Sequence, residues 1–404
     1  MKILHTSDWH LGKRLEKFSR LVEQKEVLTE ICEIADKEKV DAIVIAGDLF
    51  DTFNPPTESI DLFYKTLKRL SNNGKRAVVA IAGNHDSPDR IEAPDPLARE
   101  CGIIFSGSPD SNINLFNLET GLSVINSDDG FIELKLPNSD IPLRIINTPY
   151  ANETRLKAYF GLEDPEEEMR NLLQKKWQNL ADKYCDNNGV NILLTHLFVV
   201  PKNEPLPEEP DDEKPILHVG GAQAVYTSNI PKQIQYTALG HLHRKIVYDK
   251  DMPVVYSGSP LAYSMNESSQ DKFVIIADIE PNKVAIKEIK LTKGKPLIRK
   301  NFDNVDDCVS WLLDNPNVLV EITMTTDTFL KAEQRKLIND SHQGIVAIIP
   351  EVKNISGTEK GHKIVDLNKP TKELFVDYFK YKNNQQEPNQ ELLELFSEVL
   401  GEEY

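Results

Sequence analysis

Cysteine is scarce in this chain: four in 404 residues, at Cys32, Cys101, Cys185 and Cys308. They lie far apart, with no zinc or redox spacing among them. Thiolate metal sites are therefore excluded, and reduced thiols in a cytoplasmic protein are the expectation. No apolar run approaches the roughly 18 residues a membrane helix needs. Met1-Lys2-Ile3-Leu4-His5 turns polar too early for the apolar region of a signal peptide, so no membrane association is expected. A Gly-rich phosphate loop is missing, so any ATP used in its work must bind a partner. No internal repeat is evident. Positive charge is also in short supply. The 47 Lys and Arg face 64 Asp and Glu, for a net charge of −17. A free-standing nucleic-acid binder usually presents a basic surface, so action on DNA or RNA would draw on metals and a basic partner for much of the attraction. Part of the acidity sits in Glu163 to Glu168 and Glu204 to Glu213, which read as solvated loops or helix ends.

What the chain does have is a recurring pattern at strand ends. Ala42-Ile43-Val44-Ile45-Ala46 is an all-apolar run that reads as a buried strand, and it ends in Gly47-Asp48-Leu49-Phe50-Asp51. Val78-Val79-Ala80-Ile81-Ala82 runs likewise into Gly83-Asn84-His85-Asp86. Asp8-Trp9-His10 follows a first strand at 2–7. Thr195-His196 follows Ile192-Leu193-Leu194, and Gly240-His241-Leu242-His243 follows Tyr236-Thr237-Ala238-Leu239. Any one of these alone is an ordinary turn. Five in one chain place Asp, Asn and His at five strand ends.

Between them, residues 22–37 carry apolar positions at helical spacing. A second helix opens after Pro55-Pro56-Thr57, with Ile60, Phe63, Tyr64, Leu67 and Leu70 on one face. This βαβαβ order implies parallel strands with right-handed crossovers. Segments near 113–116, 131–135 and 143–147 suggest a second sheet, and 165–184 reads as a helix. The Pro- and acid-rich stretch 201–215 reads as an exposed loop. A boundary is placed near residue 270. Lys272 to Ile289 reads as two strands opening a small α+β capping domain over 271–350, with helices at 305–313 and 330–338 and strands at 318–322 and 345–349. Residues 351–370 read as a linker. Residues 371–404 read as a helical segment with Leu374, Phe375, Tyr378 and Phe379 on one side, then Leu392, Phe396, Val399 and Leu400.

Asp8, His10, Asp48, Asn84, His196, His241 and His243 offer carboxylate, amide and imidazole donors and no thiolate. That mixture suits manganese, iron or zinc in a catalytic site. Seven donors are too many for one ion with an open position. With one carboxylate shared they divide between two ions, the arrangement of two-metal hydrolases.

These blocks, with Ser257-Gly258-Ser259-Pro260 after them, resemble the calcineurin-like metallophosphoesterases. The variant is similar to the branch formed by the nuclease subunits of bacterial SbcCD-type complexes. The resemblance covers nearly the whole chain. It implies a four-layer α/β/β/α core over 1–270, the capping domain and the C-terminal segment. It assigns Asp8, His10, Asp48 and His243 to one metal and Asp48, Asn84, His196 and His241 to the other, with Asp48 bridging. It makes His85 the group that meets the scissile phosphate, and it suggests Asp51 as the partner that orients His85. It further implies two Mn2+ ions, 3′→5′ exonuclease and endonuclease action on DNA, and hairpin opening. A homodimer through helices near 57–71 and 89–99 is implied too, with docking of 371–404 on an SbcC-type coiled-coil ATPase and work at the nucleoid.

Lys13, Arg14, Arg90 and Arg244, with Lys17, Arg20 and Lys245 nearby, lie beside the motifs and are candidates for DNA phosphate contacts. His5, His218, His342 and His362 read as surface or satisfied core residues, His218 being the least settled of them. Two rivals stand beside the nuclease reading. One is a phosphatase or cyclic-nucleotide phosphodiesterase of the same superfamily. The other is a scaffold with a vestigial metal site.

Overall fold

The computed structural model describes residues 1–158, 165–202, 207, 224–249, 251–326, 330–352, 371–382, 388, 392–393 and 396. The chain divides into two compact units, Met1–Thr325 with Leu330–Glu351, and Thr326–Phe329 with Val352–Tyr404.

Two sheets form the core of the first unit. One runs Lys283–Lys290, Phe273–Glu280, Lys2–Thr6, Ala42–Ala46, Ala77–Ile81, Ile103–Ser106 in spatial order. The other has eight strands, with Val190–His196 at its heart between Leu143–Thr148 and Tyr236–Gly240, parallel to both. The period-2 alternation of side chains produces the layers. Ile43 and Ile45 pack with Val27, Leu28 and Ile31 of the helix Leu21–Glu38 and with Phe63 and Leu67 of Thr57–Leu70. Val44 and Ala46, on the opposite face, pack between the sheets with Ile192, Leu194 and Ala238. Leu193 then faces outward onto Leu173 and Trp177 of the helix Pro165–Tyr184. Helix, sheet, sheet and helix are therefore stacked in four layers around three apolar seams. Each fully buried aliphatic side chain contributes about 1.5–3 kcal/mol.

The two strands expected to open the capping domain belong to the first sheet. Phe273–Glu280 pairs antiparallel with Lys2–Thr6, and Lys283–Lys290 pairs with it as the edge. The pairing is driven by burial. Val274 and Ile276 join the seam under the helices, and Ile275, Ala277 and Ile279 the seam between the sheets. The boundary placed near 270 thus falls after Lys290. Beyond it, Leu297–Phe302, Leu319–Thr326 and Ile345–Val352 make a three-stranded sheet. The helices Val305–Asp314 and Ala332–Ser341 cover it, with Cys308, Leu312, Ile322, Met324 and Ile338 as its own small core. Asn304 caps the first of these helices by accepting from the Asp307 N–H at 2.8 Å.

In the second unit the described helix is Thr371–Lys382, where the ring of Phe375 stacks on Phe396 at 3.9 Å. Most of the linker 351–370, most of 201–215, His218, His362, Val399 and Leu400 lie outside the described residues. No described helix is long and apolar enough to cross a membrane.

His5 and His342 are core residues. His5 is buried between Tyr236 Oη at 2.8 Å and the Leu239 carbonyl at 3.2 Å. Burial pulls its pKa down to about 3 against the lift from that carbonyl, so the ring stays neutral. His342 lies 3.0 Å from the Asn315 carbonyl and accepts from the Gly344 N–H.

Candidate metal centre

The carboxyl ends of the parallel strands of both sheets meet at one rim. In open α/β sheets this is where ligands bind. The sheets approach so closely there that a Cβ on Gly240 would stand 1.7 Å from the Ala46 carbonyl oxygen. A Cβ on Gly83 would stand 2.0 Å from Asp48 Oδ1. Glycine before His241 and before Asn84 is therefore a steric requirement of the rim.

Four of the candidate ligands have left-handed backbones: Asp8 (φ 53°), His10 (φ 43°), Asp48 (φ 49°) and His241 (φ 102°). Such conformations cost of order 1–3 kcal/mol each and persist only when neighbouring contacts enforce them. Here the loops hold one another. Asp8 N–H donates to the Gly47 carbonyl and His10 N–H to the Asp48 carbonyl. His241 N–H donates to Asp8 Oδ1 at 2.8 Å. Gln24 donates to the His10 carbonyl and accepts from the Gly12 N–H, closing the Asp8–Gly12 loop onto the first helix.

The side chains converge. His10 Nε2 and His243 Nε2 are 3.0 Å apart. Asn84 Oδ1 lies 2.9 Å from His196 Nε2 and 3.4 Å from His241 Nδ1. Asp48 Oδ2 lies 3.2 Å from His196 Nε2 and 3.6 Å from His10 Nε2, so it stands between the two halves. Donors that share one ion at about 2.1 Å, at right angles, stand about 3.0 Å apart. The spacing therefore fits cations in two adjoining positions. Asp8, His10 and His243 present donor atoms within 4.8 Å of one another, and so do Asp8, Asp48 and His196.

Electrostatics favours cations too. Asp8 and Asp48 are fully buried. Burial pushes the Asp8 carboxyl up, the His196 and His243 imidazoles pull it down, and Asp48 raises it again. Two carboxylates this deep need positive charge beside them. For His196, burial lowers the pKa, but Asp48 and Asp8 outweigh it and leave it raised. His196 Nδ1 lies 2.8 Å from the Ala46 carbonyl, which can only accept, so that nitrogen carries a proton and Nε2 points its lone pair at the cluster.

His85 stands at the edge of this cluster. Its ring meets that of His10 edge to face at 4.9 Å, and its N–H donates to Asp48 Oδ1 at 3.0 Å. The expected partnership with Asp51 is made by the main chain: His85 Nδ1 lies 2.9 Å from the Asp51 carbonyl oxygen. The Asp51 carboxylate forms an ion pair with Lys13 Nζ at 2.8 Å and lies within 4.8 Å of ring nitrogens of His10 and His85. Asp51→Asn keeps the carbonyl, so kcat is expected to stay within a few-fold of the parent. A loss as large as that of His85→Ala would return the orienting role to the carboxylate.

Of the cationic candidates, Lys13 is tied to Asp51, Arg14 donates to the Lys17 carbonyl, Arg90 donates to Asn54, and Arg244 is exposed. Arg20 is buried and engaged with Glu23 and the Ala262 carbonyl, which removes it from any DNA-facing role.

Three supporting residues escape a reading of the sequence. Asp86 accepts from Leu49, Phe50 and Gly83 N–H groups and so staples the Asp48 loop to the Asn84–His85 turn. Burial and Asp48 push its pKa up to about 6 against those three bonds. Arg155, on the short helix Glu153–Leu156, donates to the Gly83 and Asp86 carbonyls at 2.8 Å and so straddles Asn84 and His85. Glu267 lies 3.3 Å from His243 Nδ1. Asp86 belongs to the Gly83–Asp86 block and Glu267 closes a Ser264-x-x-Glu267 capping box, so both left a local signal; Arg155 left none.

The calcineurin-like phosphoesterase family matches residues 1–245. The chain is 33% identical over 408 residues to the SbcD subunit of the nuclease SbcCD of Bacillus subtilis (strain 168), covering 99% of this chain and 97% of that one. The proteins of the same name from Staphylococcus epidermidis and Rhodobacter capsulatus are each 31% identical. The alignments cover 70% of this chain and 67% of the first, and 74% of this chain and 71% of the second.

Proposed function

The chain belongs to the calcineurin-like phosphoesterases and, within them, to the SbcD nucleases, and on that premise we propose that it hydrolyses DNA phosphodiester bonds at a centre for two divalent cations. The carrying observation is the rim cluster, where carboxylate, amide and imidazole atoms from five chain segments meet at coordination spacing with His85 beside them. Asp8, His10, Asp48 and His243 are assigned to one ion, and Asp48, Asn84, His196 and His241 to the other. Mn2+ suits a set of oxygen and imidazole donors without thiolate. Ions held there would polarise the phosphoryl oxygens and lower the pKa of a bound water.

The chain's own residues do the rest. The Asp51 carbonyl fixes a proton on His85 Nδ1, so Nε2 is the nitrogen that meets the substrate and passes a proton to the departing 3′ oxygen. Asp86 and Arg155 hold the turn that aims His85 and Asn84. Arg14, Arg90 and Arg244, with Lys13 behind Asp51, are placed to track DNA phosphates beside the centre.

The partner is an SbcC-type coiled-coil ATPase, as the name of the relatives indicates, with residues 371–404 as the docking segment. Tyr378, 60% exposed on the helix Thr371–Lys382, is consistent with that role. A homodimer through Thr57–Leu70 and the turns at 88–98 is part of the reading. Leu97, at 78% exposure, is an apolar residue for it to cover. The enzyme works in the cytoplasm, at the nucleoid.

The test is hydrolysis by the purified chain with Mn2+, on a DNA hairpin and on a nucleotide ester, with and without the ATPase. Hairpin cleavage is the expected result. Turnover confined to the nucleotide ester points to a phosphatase. Absence of Mn2+-dependent hydrolysis in every arm points to a scaffold.

A further inference from the structure

Behind His243, on the side away from the cluster, lies a buried ion pair that the reaction as described does not use. Glu267 and Lys272 are both over nine-tenths buried. Charges so deep are costly unless paired and hydrogen-bonded. Here the hydrogen bonds form a closed ring around one residue. Glu267 Oε1 lies 3.3 Å from His243 Nδ1 and accepts from the Tyr263 and Ser264 N–H groups at 3.1 Å. Glu267 Oε2 pairs with Lys272 Nζ and lies 3.4 Å from Ser259 Oγ. Lys272 Nζ donates in turn to the His243 carbonyl at 2.8 Å and to Ser259 Oγ at 2.9 Å. The three protons of the ammonium thus have three acceptors, and the carboxylate grips the ring of the residue whose main chain the ammonium grips.

We infer that Glu267, held by Lys272, is the positioning residue that sets the tautomer and ring orientation of His243 for the cation it shares with His10. This rests on the reading of His243 as a metal ligand. A carboxylate accepts the Nδ1 proton, so Nε2 keeps its lone pair, and it is Nε2 that stands 3.0 Å from His10 Nε2. Lys272 also prevents the carboxylate from turning toward the cations itself, because both of its oxygens are occupied. Pairing of this kind behind a ligating imidazole typically changes metal affinity by about 10–100-fold.

The experiment measures Mn2+ bound per chain after dialysis against graded free Mn2+, together with the exchange-coupled electron paramagnetic resonance signal of an ion pair. It compares the parent with Glu267→Gln, Glu267→Leu, Lys272→Met and His243→Ala. Glu267→Leu is expected to weaken one of the two ions by about 10–100-fold, to lose the coupled signal at Mn2+ concentrations that fill the parent, and to keep the other ion. Glu267→Gln can still accept from Nδ1 and the two N–H groups, so it should fold as the parent does and fall between. A merely structural pair would lower the melting temperature and leave the ratio of the two affinities alone. Parent affinities for both ions in folded Glu267→Gln and Glu267→Leu, with one ion lost in His243→Ala, overturn the inference and spare the ligand assignment. Two ions retained in His243→Ala overturn both.

Discussion

Asp48→Asn is expected to lose both cations together. Its Oδ2 approaches the Nε2 edges of His196 at 3.2 Å and His10 at 3.6 Å, one from each half of the cluster. Asp8 also lies near both groups, but its Oδ1 meets His196 on the Nδ1 side at 3.8 Å, the nitrogen already turned to Ala46. One carboxylate therefore spans the halves and the other serves chiefly one. Asparagine keeps the shape and one acceptor oxygen, but it removes the charge that both halves share. The loss in metal affinity should exceed the roughly 100-fold that removal of an outer partner can cost, and it should strike both ions. Asp8→Asn should weaken one ion far more than the other. The measurement is metal content by mass spectrometry across a Mn2+ series. An Asp48→Asn chain that keeps one ion at parent affinity would defeat the bridging assignment.

Much of this rim can be read from the chain because its donors follow their strands directly. Ala42–Ala46 and Ala77–Ile81 are covered on one face by helices and on the other by the second sheet, so they appear as unbroken apolar runs that stop where the rim begins. Pairing partners are another matter. Lys283–Lys290 alternates half-buried and exposed residues, a pattern an edge strand shows equally in the core sheet or in a separate domain. Nothing local says that its neighbour Phe273–Glu280 pairs with Lys2–Thr6, more than 270 positions away in register. The short strand Leu297–Phe302 is hidden for a related reason. Its Arg299, Lys300 and Asn301 are solvent-facing, and only its ends are buried. At the site, sequence identifies Asp51 but not which of its atoms meets His85, a choice the turn makes. Arg155 and Glu267 act on residues far along the chain, through contacts that have no spacing to recognise.

His85→Ala separates proton delivery from cation binding. The contact that ties this residue to the centre is its main-chain N–H, which donates to Asp48 Oδ1 at 3.0 Å, and alanine retains it. Asp86 and Arg155 also hold the turn through main-chain atoms. The cluster should therefore keep its geometry and both ions when the imidazole is gone. Hydrolysis of DNA, whose leaving 3′ oxygen is a poor leaving group without a proton, should fall by about 10²–10⁴-fold, the usual contribution of a positioned acid or base. A substrate with a nitrophenolate leaving group departs without that proton, so its loss should be smaller by roughly tenfold or more. The two substrates, assayed on the same Mn2+-loaded protein, isolate the role of the ring. Equal losses on both would assign His85 to binding the phosphate oxygens in the transition state. Lost Mn2+ would make it a ligand, against the placement of its ring beside that of His10 at the rim of the donor set.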